Sequence, residues 1–114
     1  MFSVVIPLYN KEQYIAKTLE SVLLQTFQEY EIIVVDDGST DKSTFEVKRY
    51  NDNRIRLIQQ ENAGVSAARN RGIEEANYDL IAFLDADDEW LPNHLQELIN
   101  LRIDYPECEV FATG

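Results

Sequence analysis

From Phe2 to Leu8 the chain is apolar and β-branched, and the run closes with Pro7 and the polar Asn10, the pattern of a buried first strand. A helix is predicted next, because Ile15, Leu19, Val22 and Leu23 recur at helical spacing and Asn10 is placed to cap it. Ile32, Ile33, Val34 and Val35 are consecutive, so Glu31 to Val35 reads as a second strand covered on both faces, ending in Asp36-Asp37-Gly38-Ser39. Thr40 or Asp41 is expected to cap a shorter helix through about Tyr50, and Asn51 to Asn53 breaks it before a third strand at Ile55 to Ile58. After Glu61-Asn62-Ala63-Gly64 a third helix starts at Val65, with Ala68, Ile73 and Ala76 read as the small-residue face that lies close to a sheet. Leu80 to Leu84 is a fourth strand running into Asp85-Ala86-Asp87-Asp88. Pro92 suits the first turn of a fourth helix in which Leu95, Leu98 and Ile99 share a face, and Val110 to Ala112 reads as a fifth strand.

This alternation contains no internal repeat, low-complexity segment or linker. It predicts a single α/β domain over residues 1–114, a doubly wound, mainly parallel sheet with helices on both faces. In such sheets ligands gather at the carboxyl ends of the strands, near the point where strand order reverses. The polar tips of this chain fall there: Tyr9-Asn10, Asp36-Asp37, Asn62, and Asp85 to Asp88.

Charge narrows what such a site can hold. The net charge of −11 argues against a nucleic-acid binder, which grips phosphates with clustered Lys and Arg. A phosphate ligand would need a divalent cation, backbone N–H groups at a helix start, or a few local arginines. The single cysteine, Cys108, cannot form an internal disulfide or complete a thiolate metal site, so a reducing, cytoplasmic setting fits. No stretch approaches the roughly 18 apolar residues of a membrane span, and Met1 to Leu8 is too short for a signal peptide and lacks a basic lead.

Asp85 and Asp87 follow an apolar strand, so both carboxylates are held at the rim of a rigid element. Mg²⁺ and Mn²⁺ are held in this way by one or two carboxylates, with water and substrate phosphates completing the shell. The competing reading is that Asp87, Asp88 and Glu89 begin the next helix, where acids favour the positive dipole end. A calcium hand does not fit, because its sixth position would be Trp90 and its twelfth Gln96. Asp36-Asp37-Gly38-Ser39 is either an ordinary turn and cap or the source of a carboxylate for the N–H edge of a base. Tyr9 either stacks on a ring or packs. Arg69 and Arg71 lie two apart on a helix, so only one faces the site; Arg69 is the candidate and Arg71 is read as solvated. His94 is read as a surface histidine and Cys108 as structural.

Together these blocks resemble the family 2 glycosyltransferases of the GT-A fold. The resemblance is carried by Val4-Val5-Ile6-Pro7-Leu8-Tyr9-Asn10, Glu20-Ser21-Val22-Leu23-Leu24-Gln25-Thr26 and Ile33-Val34-Val35-Asp36-Asp37-Gly38-Ser39-Thr40-Asp41. It continues in Asn62-Ala63-Gly64-Val65-Ser66-Ala67-Ala68-Arg69-Asn70-Arg71-Gly72 and Phe83-Leu84-Asp85-Ala86-Asp87-Asp88. It implies a Rossmann-like nucleotide-binding half in which Pro7, Leu8 and Tyr9 line the base pocket and Asp37, or its neighbour Asp36, hydrogen-bonds uracil. Asp85 and Asp87 match the DXD motif, where the later Asp coordinates Mn²⁺ or Mg²⁺ bridging the diphosphate and the earlier one approaches the ribose or sugar. Asn62, Gly64 and Arg69 match the loop and helix that close over the donor.

The implied function is metal-dependent binding of a nucleotide-diphosphate sugar, by preference a UDP-sugar, for inverting glycosyl transfer. Family members continue into an acceptor region that holds the general base, so the base is expected downstream of this chain. Asp104 and Glu107, at the end of the last helix, lack its context. The setting implied is cytoplasmic or, for a longer parent, the cytoplasmic face of a membrane.

Three alternatives compete. A phosphohydrolase of the haloacid dehalogenase type also carries Asp-x-Asp after an apolar strand, but after the first strand and with Thr or Val where this chain has Glu89. A sugar nucleotidyltransferase would open with a Gly-rich loop, which Leu8-Tyr9-Asn10-Lys11 is not. A non-catalytic nucleotide-binding or protein-interaction module would cover the face left by the missing half, for instance in a homodimer.

Overall fold

A computed structural model describes residues 1–104 and 110–112, with 102–104 and 110–112 described as backbone alone. Cys108 and Glu107 lie outside the described residues, as does the side chain of Asp104. The elements are β1 (Phe2–Leu8), α1 (Ile15–Leu23), β2 (Tyr30–Asp36), α2 (Ser43–Lys48), β3 (Ile55–Gln59), α3 (Val65–Glu75), β4 (Leu80–Phe83), α4 (His94–Asp104) and β5 (Val110–Ala112). The sheet order is β3-β2-β1-β4-β5, and every adjacent pair is parallel. The chain steps outward from β1 to β3, then returns past β1 to β4, so strand order reverses beside β1. No described helix is long and apolar enough to cross a membrane.

The two-residue period of the strands divides the core. Phe2, Val4, Ile6 and Leu8 of β1 join Ile32 and Val34 of β2 in one cluster with Ile15, Leu19 and Val22 of α1, Val47 of α2, and Leu95 and Leu98 of α4. Ile33 and Val35 turn to the other face and pack on Ala68 of α3, while Val5, Ile81 and Phe83 form a small cluster of their own. Every residue of β2 is buried, which is why its apolar run is unbroken.

α3 lies close to the sheet through Ala68 and Ala76, as the pattern suggested, and through Gly72, which it did not, while Ile73 takes no part. Ala68 is fully buried, and a Cβ added to Gly72 would overlap Cγ1 of Val5. Ala68 and Gly72 are four apart and share the sheet-facing line; Ile73 is turned about 100° further round the helix and is exposed.

Asn10 does not cap α1. It adopts a left-handed conformation, φ 50°, and its Oδ1 accepts the Thr40 N–H at 2.8 Å, while α1 starts after Tyr14 without a side-chain cap. The turn after β1 is thereby stitched to the turn after β2. Asn10 N–H donates to Ser39 Oγ at 2.9 Å, Lys11 N–H to Ser43 Oγ at 2.9 Å, and Glu12 N–H to Asp41 Oδ2 at 3.2 Å. Asp41 also accepts the first amide of α2, from Ser43, at 2.9 Å.

At the opposite end of the strands, buried Glu31 accepts hydrogen bonds from Ser3 Oγ at 2.6 Å and from Asn77 N–H at 2.7 Å, and pairs with Arg56 at 3.3 Å. Burial pushes its carboxyl pKa up, but the hydrogen bonds from Ser3, Asn77 and Arg56 outweigh it and hold the pKa below its ordinary value. That end is a closed polar knot, and the carboxyl end is open.

Candidate functional site

Strand parity places the candidate residues. Leu8, Asp36, Leu84 and Ala86 continue the α1 side of their strands, whereas Pro7, Tyr9, Asp37, Asp85 and Asp87 continue the α3 side. The carboxyl ends of β1, β2 and β4 and the N-terminal turn of α3 surround one cavity of about 530 Å³, a size usual for small-molecule sites. Of the predicted residues, Pro7, Leu8, Tyr9, Asp37, Asn62, Gly64, Arg69, Asp85 and Asp87 all line it. Tyr9 lines the cavity with 47% of its surface exposed.

Asp36 is the exception. It ends β2 on the α1 side, is buried, and its Oδ1 accepts the Ser39 N–H at 3.1 Å, closing the turn. Of the Asp36/Asp37 pair, only Asp37 reaches the cavity, because consecutive strand residues point to opposite faces.

Asp37 is buried, with 3% of its surface exposed. Its Oδ1 accepts from Gln60 Nε2 at 3.0 Å and from Ala63 N–H at 2.8 Å; its Oδ2 accepts from Gly64 N–H at 2.9 Å and from Asn62 Nδ2 at 3.3 Å. Burial acts to raise its pKa, but the donors from Gln60, Ala63 and Gly64 prevail and hold the carboxyl below its ordinary value. The carboxylate therefore folds the loop before α3 around itself. The backbone allows this because Gly38, φ 79°, and Gly64, φ 101°, take conformations that side chains disfavour.

Asp85 and Asp87 are two apart on the loop leaving β4 and point into the same cavity. α4 begins only at His94, so Asp87 is not an acid of its first turn and the helix-dipole reading of these carboxylates fails. Each is paired with a cation: Asp85 Oδ1 with Arg69 Nη2 at 3.2 Å, and Asp87 Oδ2 with Lys11 Nζ at 3.4 Å. The described residues contain no group of three or more His, Cys, Asp or Glu gathered to hold a metal. Two carboxylates opening on a cavity fit a divalent cation that takes its remaining ligands from water and phosphate.

The loop carrying these carboxylates is fixed from behind by α1. Thr18 Oγ1 lies 2.9 and 2.7 Å from the carbonyl oxygens of Ala86 and Asp88, and Ser21 Oγ accepts Trp90 N–H at 3.1 Å. Gln25 donates to Leu91 O at 2.6 Å and accepts from Leu95 N–H at 2.9 Å. All three are buried; Thr18 and Ser21 share a face of α1, and Gln25 lies just past its C-terminal end.

Lys11 was not singled out by the sequence, although a basic residue beside a strand-end Tyr-Asn in so acidic a chain is itself a signal. Gln60 was missed because its role exists only once β3 lies beside β2. Arg71 pairs with Glu75 at 3.3 Å, away from the cavity. His94 is not a surface histidine: it is half-buried, stacks on Trp90 with centroids 4.6 Å apart at 23°, and burial lowers its pKa against the opposing charge of Glu97.

Comparison with known proteins places this cavity in context. The model of glycosyl transferase family 2 matches residues 3–111. The uncharacterized glycosyltransferase YibD of Escherichia coli (strain K12) is 45% identical over 104 residues, covering 90% of this chain and 30% of that protein. Among solved structures, S. aureus TarS 1–349 in complex with UDP superposes with a TM-score of 0.84 at 32% identity, over 92% of this chain and 32% of that one. The mannosyltransferase PcManGT from Pyrobaculum calidifontis, in complex with GDP-Man and Mn²⁺, superposes with a TM-score of 0.85 at 26% identity, over 91% of this chain and 32% of that one. The chain thus spans about a third of the length of the proteins it resembles.

Proposed function

The chain belongs to glycosyl transferase family 2, and from that premise we propose that its cavity binds the nucleoside-diphosphate end of a sugar donor, a UDP-sugar, together with Mn²⁺ or Mg²⁺. One observation carries the reading: an aromatic rim, a buried carboxylate, two rim carboxylates and a guanidinium converge on a single cavity where strand order reverses. UDP in the TarS complex, and GDP-Man with Mn²⁺ in PcManGT, support the ligand class.

In this reading Tyr9 lies on the base, with Pro7 and Leu8 beneath it. Asp37 accepts the base N–H on Oδ2 in place of Asn62, whose bond there is the longest of the four and whose amide keeps the Asp37 carbonyl at 3.0 Å as a second partner. Gly64 and Arg69 bring the start of α3 and a positive charge toward the phosphates. Asp87, with Asp85 beside it, would hold the divalent cation, which supplies neutralisation of the negative charge that grows on the departing diphosphate. The three carboxylates of the cavity, Asp37, Asp85 and Asp87, are then all engaged in holding donor. The base that activates the acceptor is assigned to sequence that the longer relatives carry beyond the aligned portion, and this chain to donor binding.

Calorimetric titration of UDP tests the proposal. It predicts binding in Mn²⁺, strong weakening in EDTA, and loss of the metal dependence in Asp87→Asn. Equal UDP affinity with and without metal would refute it.

A further inference from the structure

We infer that Lys11 is an exchangeable counter-ion of this site: it neutralises Asp87 until a divalent cation arrives, and then turns to the diphosphate of the donor. The inference rests on the reading of the cavity as a nucleoside-diphosphate site and assigns a role to a residue outside the motif that suggested that reading.

Three features of the structure carry it. The first is anchorage. Lys11 N–H donates to Ser43 Oγ at 2.9 Å, and its carbonyl accepts Tyr14 N–H at 3.0 Å and Ile15 N–H at 2.9 Å. Its backbone is thus fixed by the stitched turns after β1 and β2, and the lysine head enters the cavity from a rigid point.

The second is the character of the pair. Nζ lies 3.4 Å from Asp87 Oδ2, beyond the usual N–H···O hydrogen-bond range, and the two side chains are 39% and 46% exposed. This is a half-exposed electrostatic contact, weak and easily exchanged. The Arg69–Asp85 pair is comparably exposed, at 41% and 40%, but it is shorter, at 3.2 Å, and its guanidinium has a second neighbour in the Phe83 ring, 6.0 Å from its centre. A lysine ammonium on a flexible stem is a mobile point charge, whereas an arginine fork set against a ring is not.

The third is charge balance. Among the described residues the cavity is lined by three carboxylates and two cations, and without a ligand the hydrogen bonds of Asp37 are met within the loop. A divalent cation on Asp87 would repel an ammonium at this distance, and a diphosphate bridged by that cation would attract it. The same lysine therefore opposes the metal by itself and favours the metal with nucleotide.

Opposite signs make the inference testable. Mn²⁺ alone is titrated by electron paramagnetic resonance, and UDP at saturating Mn²⁺ by calorimetry, on the wild type, Lys11→Met and Lys11→Arg, with thermal melts to verify folding. In Lys11→Met, Mn²⁺ alone should bind about 2–5-fold more tightly, the scale of an exposed ion pair. UDP with Mn²⁺ should bind about tenfold more weakly, the scale of a lost charge-assisted contact. Lys11→Arg should stay near wild type in both. If Lys11→Met shifts both affinities in the same direction, or leaves UDP binding unchanged, the exchange is refuted. If the wild type binds no UDP even with Mn²⁺, the reading of the cavity fails first and the inference falls with it.

Discussion

Replacing Gly72 by Ala tests how α3, the helix that brings Gly64 and Arg69 to the cavity, is seated on the sheet. A Cβ at position 72 would overlap Cγ1 of Val5 and lie 3.0 Å from its Cγ2 and 3.2 Å from its Cβ. Val5 is fully buried in the central strand β1, hydrogen-bonded to β2 and β4 on either side, so the strand cannot retreat. Either Val5 leaves its rotamer or α3 lifts. Overpacking of this kind costs about 2–3 kcal/mol, the upper half of the usual range because the overlapped strand is held on both sides, and alanine returns about 1 kcal/mol of helix propensity. The net expectation is a loss of about 1–2 kcal/mol, or roughly 4–8 °C in Tm. Urea denaturation followed by circular dichroism measures the first quantity and a thermal melt the second. A double-mutant cycle with Val5→Ala, which deletes both Cγ atoms, should recover about 1 kcal/mol as coupling. Gly72→Ala with wild-type or greater stability would refute the argument, because the helix-to-sheet distance would then not be set by the missing side chain.

Asp37→Asn offers one acceptor oxygen where the loop needs two, so two of its four donors lose their partner. A loss of about 1–3 kcal/mol in urea denaturation is expected, together with loss of UDP binding. Gln25→Leu strands the buried Leu95 N–H and Leu91 carbonyl; amide exchange at Leu95 should accelerate and stability fall by about 1–3 kcal/mol. The carboxyls of Glu31, Asp37, Asp41 and Asp52 are all held below their ordinary pKa. The unfolded chain therefore binds more protons at mildly acid pH. Stability should be full at neutral pH, fall first below about 6.5 because buried His94 resists protonation while the unfolded chain does not, and fall further below about 4 as the four carboxyls protonate. Glu31→Gln should flatten that decline, and an unchanged pH profile would contradict the role given to the Ser3-Glu31-Asn77 knot.

The parts of this fold that were legible in the sequence are those set by local periodicity. The continuous run Ile32 to Val35 announced a strand buried on both faces, and the polar tips after β1, β2 and β4 announced the rim. What escaped depends on neighbours distant in sequence. Asn10 has the chemistry of a helix cap, but the amide it satisfies belongs to Thr40, 30 residues on. Asp36 and Asp37 are indistinguishable as a pair of letters; the pleat alone sends one into a turn and the other into the cavity. Ile73 looked like a sheet contact because it is apolar, yet the close approach selects a position with no side chain, Gly72. The segment Glu20 to Thr26 stands out as a block, but why Thr18 and Ser21 are polar on a buried face of α1, and Gln25 buried just past its end, is clear only with the loop after β4 laid against them. Lys11 was passed over for a similar reason, since its partner Asp87 is brought to it by the β1–β4 pairing.

The central claim is that one rim gathers base, diphosphate and cation. Paramagnetic broadening of amide signals on adding substoichiometric Mn²⁺ with UDP tests it directly. The account predicts that signals of Lys11, Arg69, Asp85 and Asp87 vanish first, those of Asp37 and Gly64 weaken next, and those around Glu31 and Asn77 at the far end of the strands persist. Broadening centred elsewhere, or spread evenly over the acidic surface, would contradict it.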